Sequence, residues 1–549
     1  MHNTELKFGK LHLNAIAIFL VYLIIAFATL YQLWGLPTWP RNHDGLSFFG
    51  RLHIYQQHFL VGDYFPIWSS LDNGDFGSPQ PLFYHKLFYF IGAIFLYVLN
   101  GNIKFALIAS LVFFLLIGAI GIRKLILEIG GSKFSAFCGG LMLITSNYTV
   151  TDWLVRGALS ETSAAMLVPW ALIFFQRTTQ TSKVNYQLSF YLTLIFLSHS
   201  VICFYLIIFF IFAFALLLAL GKLKKSIFNP TPIVISILIF IVLNSPYLIA
   251  AHFIAGNYDM SRILIEYQPA TQFHAMGEYL FSPNFRWGNL GEGNYTVQLD
   301  LPITLIFFAM IGILIFKLPK LKYSELVLSK IYVLLPLTII FIFSIFLQTK
   351  LSVPFYEYVP GAKYIQFPWR LLSVITPIII VYACYLPNVL LNNYSANCIQ
   401  LIAVISMAYF CGSRFNYPAF NELVYLDHRG LFSSYGEYKP LNQADVIDSK
   451  IILSEANLMG CDYKRTSIAP GEVLEQSFTV DCFNNAVIPF PIINSPLHRV
   501  SAFNKDQNKL TQISCETSLA RPTLCNLLIP KGKSEITIEM PRLGIIFRK

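Results

Sequence analysis

Five places in this chain gather side chains that could do chemistry at the edge of an apolar protein. The first is the run Arg41-Asn42-His43-Asp44-Gly45, directly after the first long apolar segment. A carboxylate where a helix leaves a bilayer needs water, a partner or a proton to accept. Asn42 and His43 beside it make a polar knot, so Asp44 reads as the candidate base and His43 as a substrate contact. The second is Arg156-Gly157-Ala158-Leu159-Ser160-Glu161, where Arg156 could hold an anion and Glu161 orient a hydroxyl or a metal. The plainer reading of those two is a structural ion pair. The third is Lys363 with Arg370, flanking Tyr364-Ile365-Gln366-Phe367-Pro368-Trp369. Two cations beside aromatic surface suit a phosphate, although interfacial anchoring accounts well for Trp369.

The fourth place is His199, in the Ser198-His199-Ser200 interruption of a long apolar run. A lone His is usually a packing residue, yet an ionisable group at membrane depth is a functional candidate. The fifth is Asp63, in Gly62-Asp63-Tyr64-Phe65-Pro66-Ile67-Trp68, read as a substrate contact. Its segment also carries Arg51, Asp72, Asp75 and Lys86, and the bland alternative is a loop whose charges face water. There is no GxxxxGK, GxGxxG, HExxH or GxSxG motif and no spaced Cys/His cluster, so nucleotide-driven transport and serine or zinc hydrolysis have no support.

These groups must be positioned by helices. Of 549 residues, 55% are hydrophobic and only 12% charged, with 49 Phe. That composition belongs to a polytopic membrane protein. The net charge of +10 comes from Lys and Arg clustered in short loops, the positive-inside pattern, and not from a nucleic-acid surface. The first apolar run, about 11–33, is too long for a signal-peptide core and lacks a small-residue cleavage site.

With the basic clusters (Lys7 and Lys10; Arg123, Lys124 and Lys133; Arg177 and Lys183; Lys222, Lys224 and Lys225; Lys317, Lys320, Lys322 and Lys330) in the cytoplasm, about eleven helices follow. They lie near 11–33, 103–122, 134–150, 162–176, 187–198, 201–220, 231–254, 301–316, 331–347, 371–390 and 398–412. Residues 82–99 are expected as a re-entrant or interfacial helix, since a crossing there would place Arg123 and Lys124 outside. The outer loops are then 34–81, 151–161, 255–300 and 348–370. The N-terminus is cytoplasmic, the C-terminus extracytoplasmic, and a bacterial inner membrane is the expected home.

After about Ser413 the chain changes character, dividing it into a transmembrane domain, 1–412, and an extracytoplasmic domain, 413–549. Alternating segments such as Gln476-Ser477-Phe478-Thr479-Val480 and Ser534-Glu535-Ile536-Thr537-Ile538 predict a small β-sandwich-like domain. Cys138, Cys203, Cys384, Cys398 and Cys411 fall in apolar segments, whereas Cys461, Cys482, Cys515 and Cys525 fall in the polar one. Four cysteines allow three pairings; two disulfides in an oxidising compartment are expected, with Cys461–Cys482 and Cys515–Cys525 the more local choice.

Several of these segments coincide with motifs of one family. Asn42-His43-Asp44-Gly45, Gly62-Asp63-Tyr64-Phe65-Pro66-Ile67-Trp68 and Gly77-Ser78-Pro79-Gln80-Pro81-Leu82-Phe83-Tyr84 resemble the opening of the membrane family called 6-pyruvoyl-tetrahydropterin synthase-related. Arg156 to Glu161 resembles its RGAxxE segment, and Leu197-Ser198-His199-Ser200 its LSHN, with Ser200 where Asn is commoner. Gln366-Phe367-Pro368-Trp369-Arg370 resembles its QFPWR, and Tyr435-Gly436-Glu437-Tyr438-Lys439-Pro440 its GEYxP. The likeness spans roughly residues 40 to 440. That family is similar to the YfhO-like proteins and, more distantly, to the GT-C glycosyltransferases.

The resemblance implies a polytopic transferase that uses a polyprenyl-phosphate-linked sugar and places an acid in its first outer loop, where Asp44 stands. Asp44 would take the proton of a glycan or lipid acceptor and invert the anomeric centre. Lys363, Arg370 and Arg156 would hold the leaving phosphate, with His199 assisting. The partners are then the lipid-linked donor, the acceptor and membrane lipids, not nucleic acid. The one cofactor left open is a divalent cation. The competing reading is a non-catalytic polytopic protein for translocation or assembly of lipid-linked glycans. A solute transporter is a third, weakened by the absence of repeated halves.

Overall fold

The protein is described here from a computed structural model. The residues described are 15–40, 42–181, 183–223, 231–255, 268–274, 276–280, 296–317, 333–413, 423–424, 459–466, 474–515 and 523–543. Arg41, most of the 255–300 loop, the 435–440 stretch, the Pro470-Gly471 turn, and Lys7, Lys10, Lys224, Lys225, Lys320, Lys322 and Lys330 lie outside them, as do the side chains of Asp75 and Lys222.

The apolar runs form helices, and local signals set their ends. Ile103–Glu128 begins at Asn102, whose side chain accepts from the Phe105 amide. It runs past Arg123 and Lys124 until Gly130 turns left-handed (φ +89°) and the Gly131 amide returns to the Ile126 carbonyl at 2.8 Å. Ser132 then caps Lys133–Thr145. Tyr186–Ser198 and Ser200–Leu223 are separated by His199 in extended backbone (φ −160°), so the expected break is present.

Five described helices are long and apolar enough to cross a membrane: Ile103–Glu128, Ser200–Ala219, Thr231–Ala255, Pro368–Leu390 and Asn393–Gly412. Leu335–Phe346 and Lys350–Tyr358 make a sixth only as a pair bent by 92°. The chain is a multi-pass membrane protein. The expected eleven crossings are not reached by length alone, because Ala15–Thr29, Tyr186–Ser198 and Leu301–Lys317, three of those expected, are shorter apolar helices. At twelve residues, Leu87–Val98 spans about 18 Å, well short of a hydrocarbon core of about 30 Å. Thr231–Ala255 leaves Val234, Leu238, Val242 and Phe253 exposed, a face suited to lipid.

Two expected outer loops are not loops. Segment 34–81 contains the sixteen-residue helix Gly45–Leu60, which packs on Leu87–Val98. Segment 151–161 is buried throughout, as a π-helical turn Thr151–Arg156 followed by the start of helix Leu159–Thr181. The structural ion pair read from Arg156 and Glu161 is present, at 2.9 Å, but inside the protein and not in an outer loop.

The C-terminal region forms a five-stranded antiparallel sheet in the order β3-β4-β9-β6-β7 and a two-stranded sheet β5-β8. Its strands are β3 (Cys461–Arg465), β4 (Glu475–Cys482), β5 (Ala486–Ile493), β6 (Arg499–Asn504), β7 (Lys509–Ile513), β8 (Leu524–Ile529) and β9 (Gly532–Glu539). Alternation along β4 buries Gln476, Phe478, Val480 and Cys482 on one face. Phe490 of β5 meets Phe478 at 5.0 Å and Tyr463 at 5.3 Å between ring centroids, so the two sheets close on an aromatic core. Cys461 lies opposite Cys482 across β3 and β4, and the disulfides are Cys461–Cys482 and Cys515–Cys525, the local pairing.

Among the described residues, segment 34–81 meets this region at several points. β1 (Trp39–Pro40) pairs antiparallel with β2 (Leu423–Val424). The Ile493 amide donates to the Phe76 carbonyl at 2.8 Å. Trp68 stands edge-on to His498, ring centroids 5.0 Å apart.

Within this segment Asp72 is buried and accepts from Ser78 Oγ at 2.6 Å. Burial pushes its carboxyl up to about 6, against hydrogen bonds and Arg51 that pull it down. Burial pushes the His498 imidazole down to about 3. The two have opposite consequences. With its folded value raised, Asp72 favours the folded state below about pH 4, and that contribution is lost as pH rises through about 6, a change of about 3 kcal/mol. His498, lowered, costs stability as pH falls from about 6.5 towards 3. Asp72→Asn removes only the first effect. Its stability relative to wild type should therefore rise between pH 4 and 6 in parallel denaturation series; a constant difference would show that Asp72 does not titrate there.

Candidate active site

The Asn42–Gly45 corner is built onto the buried π-turn. Asn42 Nδ2 donates to the Leu154 carbonyl at 3.1 Å, the His43 amide to Val155 O at 3.2 Å, and the Asp44 amide to Arg156 O at 2.8 Å. Gly157 is required at the contact: it is left-handed (φ +70°), and a Cβ there would stand 2.4 Å from Asn42 Oδ1. Asp44 precedes helix Gly45–Leu60 without capping it through its side chain, and both His43 and Asp44 are half-buried.

Glu161 lies at the centre of the neighbouring charge cluster and is 1% exposed. Its Oε2 takes Arg156 Nη2 at 2.9 Å, with Arg370 Nε at 3.3 Å and His199 Nε2 at 3.8 Å. Its Oε1 accepts from Tyr148 at 2.7 Å and Ser373 at 3.3 Å. Arg156 also pairs with Asp152, four residues earlier, and Thr162 Oγ1 donates to the second Asp152 oxygen at 2.9 Å. Two carboxylates and two guanidiniums thus balance in a space from which water is largely excluded. That balance makes their burial tolerable.

The Gln366-Phe367-Pro368-Trp369-Arg370 segment is bent by a γ-turn. Gln366 has φ +66° and ψ −59°, with the Phe367 amide bonded to Ile365 O at 2.7 Å, a strained form for a side-chain-bearing residue. The turn directs Arg370 inward, where Nη1 donates to Ile365 O at 3.0 Å and to Gln366 Oε1 at 3.1 Å. Trp369 is buried with its ring 4.3 Å from the Arg156 guanidinium carbon, so it lids the ion network and is not a headgroup anchor.

The structure therefore gathers Arg156, Glu161, His199 and Arg370, with the Asp44 and His43 backbone on the same turn. It does not bring in two expected contacts. Lys363 is exposed on the preceding turn, its Nζ 5.4 Å from the Tyr364 ring centroid. Asp63 lies past the far end of helix Gly45–Leu60, about 24 Å of helix from Asp44, where it pairs with His58.

Three members were not anticipated. Asp152 was legible from its i,i+4 spacing to Arg156. Tyr148 carried no signal. Nor did His85, which stacks on His199 at 4.1 Å while Tyr84 lies under the Arg51 guanidinium at 3.5 Å. Burial first, then His199, Arg370, Lys86 and Arg51 around it, push the His85 imidazole well below its usual range, so it is a neutral ring.

Beside the break at His199 opens a cavity of about 320 Å³ lined by Phe196, Ser200, Val201, Cys203, Phe204, Ile207, Phe240, Gly361, Tyr364 and Ile365. It is a predominantly apolar groove, and Ile365 at its wall is the residue whose carbonyl Arg370 holds. Among the described residues no group of three or more His, Cys, Asp or Glu is placed to hold a metal ion.

No family model matches the chain, and no curated protein matches it. Among solved structures, the arabinofuranosyltransferase AftD from mycobacteria, seen by single-particle cryo-EM, is similar with a TM-score of 0.42 and 13% identity. The match covers 74% of this chain and 27% of that one, so the chain spans about a quarter of AftD's length. A likeness this distant leaves function to the residues themselves.

Proposed function

We propose that this chain is an integral-membrane glycosyltransferase. It moves a sugar from a polyprenyl-phosphate donor to a cell-envelope glycan or lipid acceptor on the extracytoplasmic face. The observation that carries the reading is the apolar groove walled by Ser200, which follows His199, and by Ile365, whose carbonyl Arg370 holds; His199 and Arg370 in turn belong to the network beside the turn that carries Asp44. A prenyl chain needs such a groove, and its phosphate needs cations where the groove ends.

In this reaction the acceptor hydroxyl gives its proton to the Asp44 carboxylate as its oxygen bonds to the anomeric carbon. The bond from that carbon to the phosphate oxygen breaks on the opposite face, inverting the centre. The phosphate is already a good leaving group, so its developing charge needs cations, not a strong acid. Arg370 is the best-placed cation, because Glu161 shares its charge unequally with Arg156, and Lys363 can swing over the groove mouth on its exposed turn. No step is routed through a metal.

The internal neutrality of Arg156 and Arg370 with Asp152 and Glu161 favours a second reading, a non-catalytic protein for translocation or assembly of lipid-linked glycans, in which the network is structural. A cryo-EM structure with polyprenyl phosphate decides the clamp. The phosphate should lie against Arg370 and Lys363, within reach of Asp44. A phosphate remote from all three removes the clamp.

A further inference from the structure

Asp63 is left without a role by the site above, and its surroundings suggest one. Helix Gly45–Leu60 ends in a left-handed Gly62 (φ +80°), with the Gly62 amide bonded to Phe59 O at 3.1 Å and the Asp63 amide to His58 O at 2.9 Å. This Schellman closure folds Asp63 back onto the last turn. Its Oδ2 then lies 2.9 Å from His58 Nδ1. A carboxylate there holds the proton on Nδ1 and leaves a lone pair on Nε2. His58 is 2% exposed, and its Nε2 has no hydrogen-bond partner among the described residues. One turn back on the same helix, Tyr55 is 4% exposed and its hydroxyl is likewise without one. A buried acceptor or donor left unmet forfeits its hydration without a bond in return, so the pair calls for an occupant.

We infer that Asp63, His58 and Tyr55 form a second binding site, for a hydroxyl group of a neutral carbohydrate. Nε2 accepts from an O–H and the Tyr55 phenol donates to the same oxygen, the two halves of a hydroxyl's bonding. The neighbouring charges are engaged: Asp63 with His58, buried Lys86 with the carbonyls of Leu82 and Tyr84 at 2.8 and 3.1 Å, and Arg51, one turn before Tyr55, over the Tyr84 ring at 3.5 Å. On the adjoining surface Tyr64 is 50% exposed beside Asp63, packed against Phe59 and Phe90, and Phe65, 36% exposed, stacks on Phe90. Exposed ring faces next to a hydroxyl-binding edge match a sugar, which has an apolar CH face and a polar rim, better than they match water alone. The site stands whether or not Asp44 is a base.

The test is nitrogen NMR of histidine-labelled protein in lipid nanodiscs, titrated with a mixture of methyl glycosides of glucose, galactose, mannose and arabinose. His58 is assigned from its loss in His58→Gln, or from its displacement in Asp63→Asn should the first not fold. The expected result is an unprotonated Nε2 whose resonance moves saturably with glycoside, and an affinity about tenfold weaker in Tyr55→Phe. A resonance that no glycoside moves means that water alone fills the site and overturns the assignment. An Nε2–H tautomer overturns it too.

Discussion

Asp44→Asn should leave the protein folded and lower sugar transfer by about 10²–10⁴-fold, the usual contribution of a positioned general base. The amide keeps the size and shape of the carboxylate but cannot take a proton. The fold should not notice. What fixes this corner is the backbone bond from the Asp44 amide to Arg156 O and the Asn42 side chain on Leu154 O, neither of which the substitution touches. The Asp44 side chain does not cap the following helix, and Asn is in any case as good a residue at that position. Transfer is measured as polyprenyl phosphate released from a radiolabelled lipid-linked donor in nanodiscs. Undiminished release would refute the assignment of the base and move the balance to the assembly or translocation reading.

Arg156→Ala should be the most destabilising single change near the site, by about 3–5 kcal/mol. It leaves Asp152 and Glu161 both about 1% exposed, with Arg370 the one guanidinium still beside them. It also strips the Trp369 ring of the cation it covers. Neutralising one carboxylate at the same time, with Asp152→Asn, should recover most of the loss, since Glu161 still has Arg370 and no buried charge is then left uncompensated. Thermal unfolding followed by tryptophan fluorescence reads both variants. A loss under 1 kcal/mol for the single change would mean that water reaches the network. Activity and stability are therefore separable here: Asp44 carries the first prediction, Arg156 the second.

Much of the helical part was legible because long apolar runs leave few alternatives. The break at His199 was visible in Ser198-His199-Ser200, and the short Leu87–Val98 helix in the charge balance around Arg123 and Lys124. Helix Gly45–Leu60 was not. Its charges and aromatics match an outer loop in composition, and only packing against Leu87–Val98 makes it a helix. The 151–161 segment was half legible: the Arg156–Glu161 ion pair could be read from the residues, but its burial could not, because the pairing with Asp152 and Arg370 that makes burial tolerable depends on the tertiary structure. For Lys363 and Arg370 the charge was legible but the direction was not: the γ-turn at Gln366 sends Arg370 inward while Lys363 stays out.

The sequence by itself determined the membrane character, the helix-forming segments, the polar β-strand region and the cysteines available to it. Those properties follow from hydrophobicity and periodicity, which are summed along the chain. Only the tertiary structure decided that Glu161 is shared by two arginines, that Asp63 belongs to His58, and that an apolar groove ends beside Arg370. These depend on direction and distance between segments up to two hundred residues apart. A buried charge reveals its partner only once the chain has closed around both.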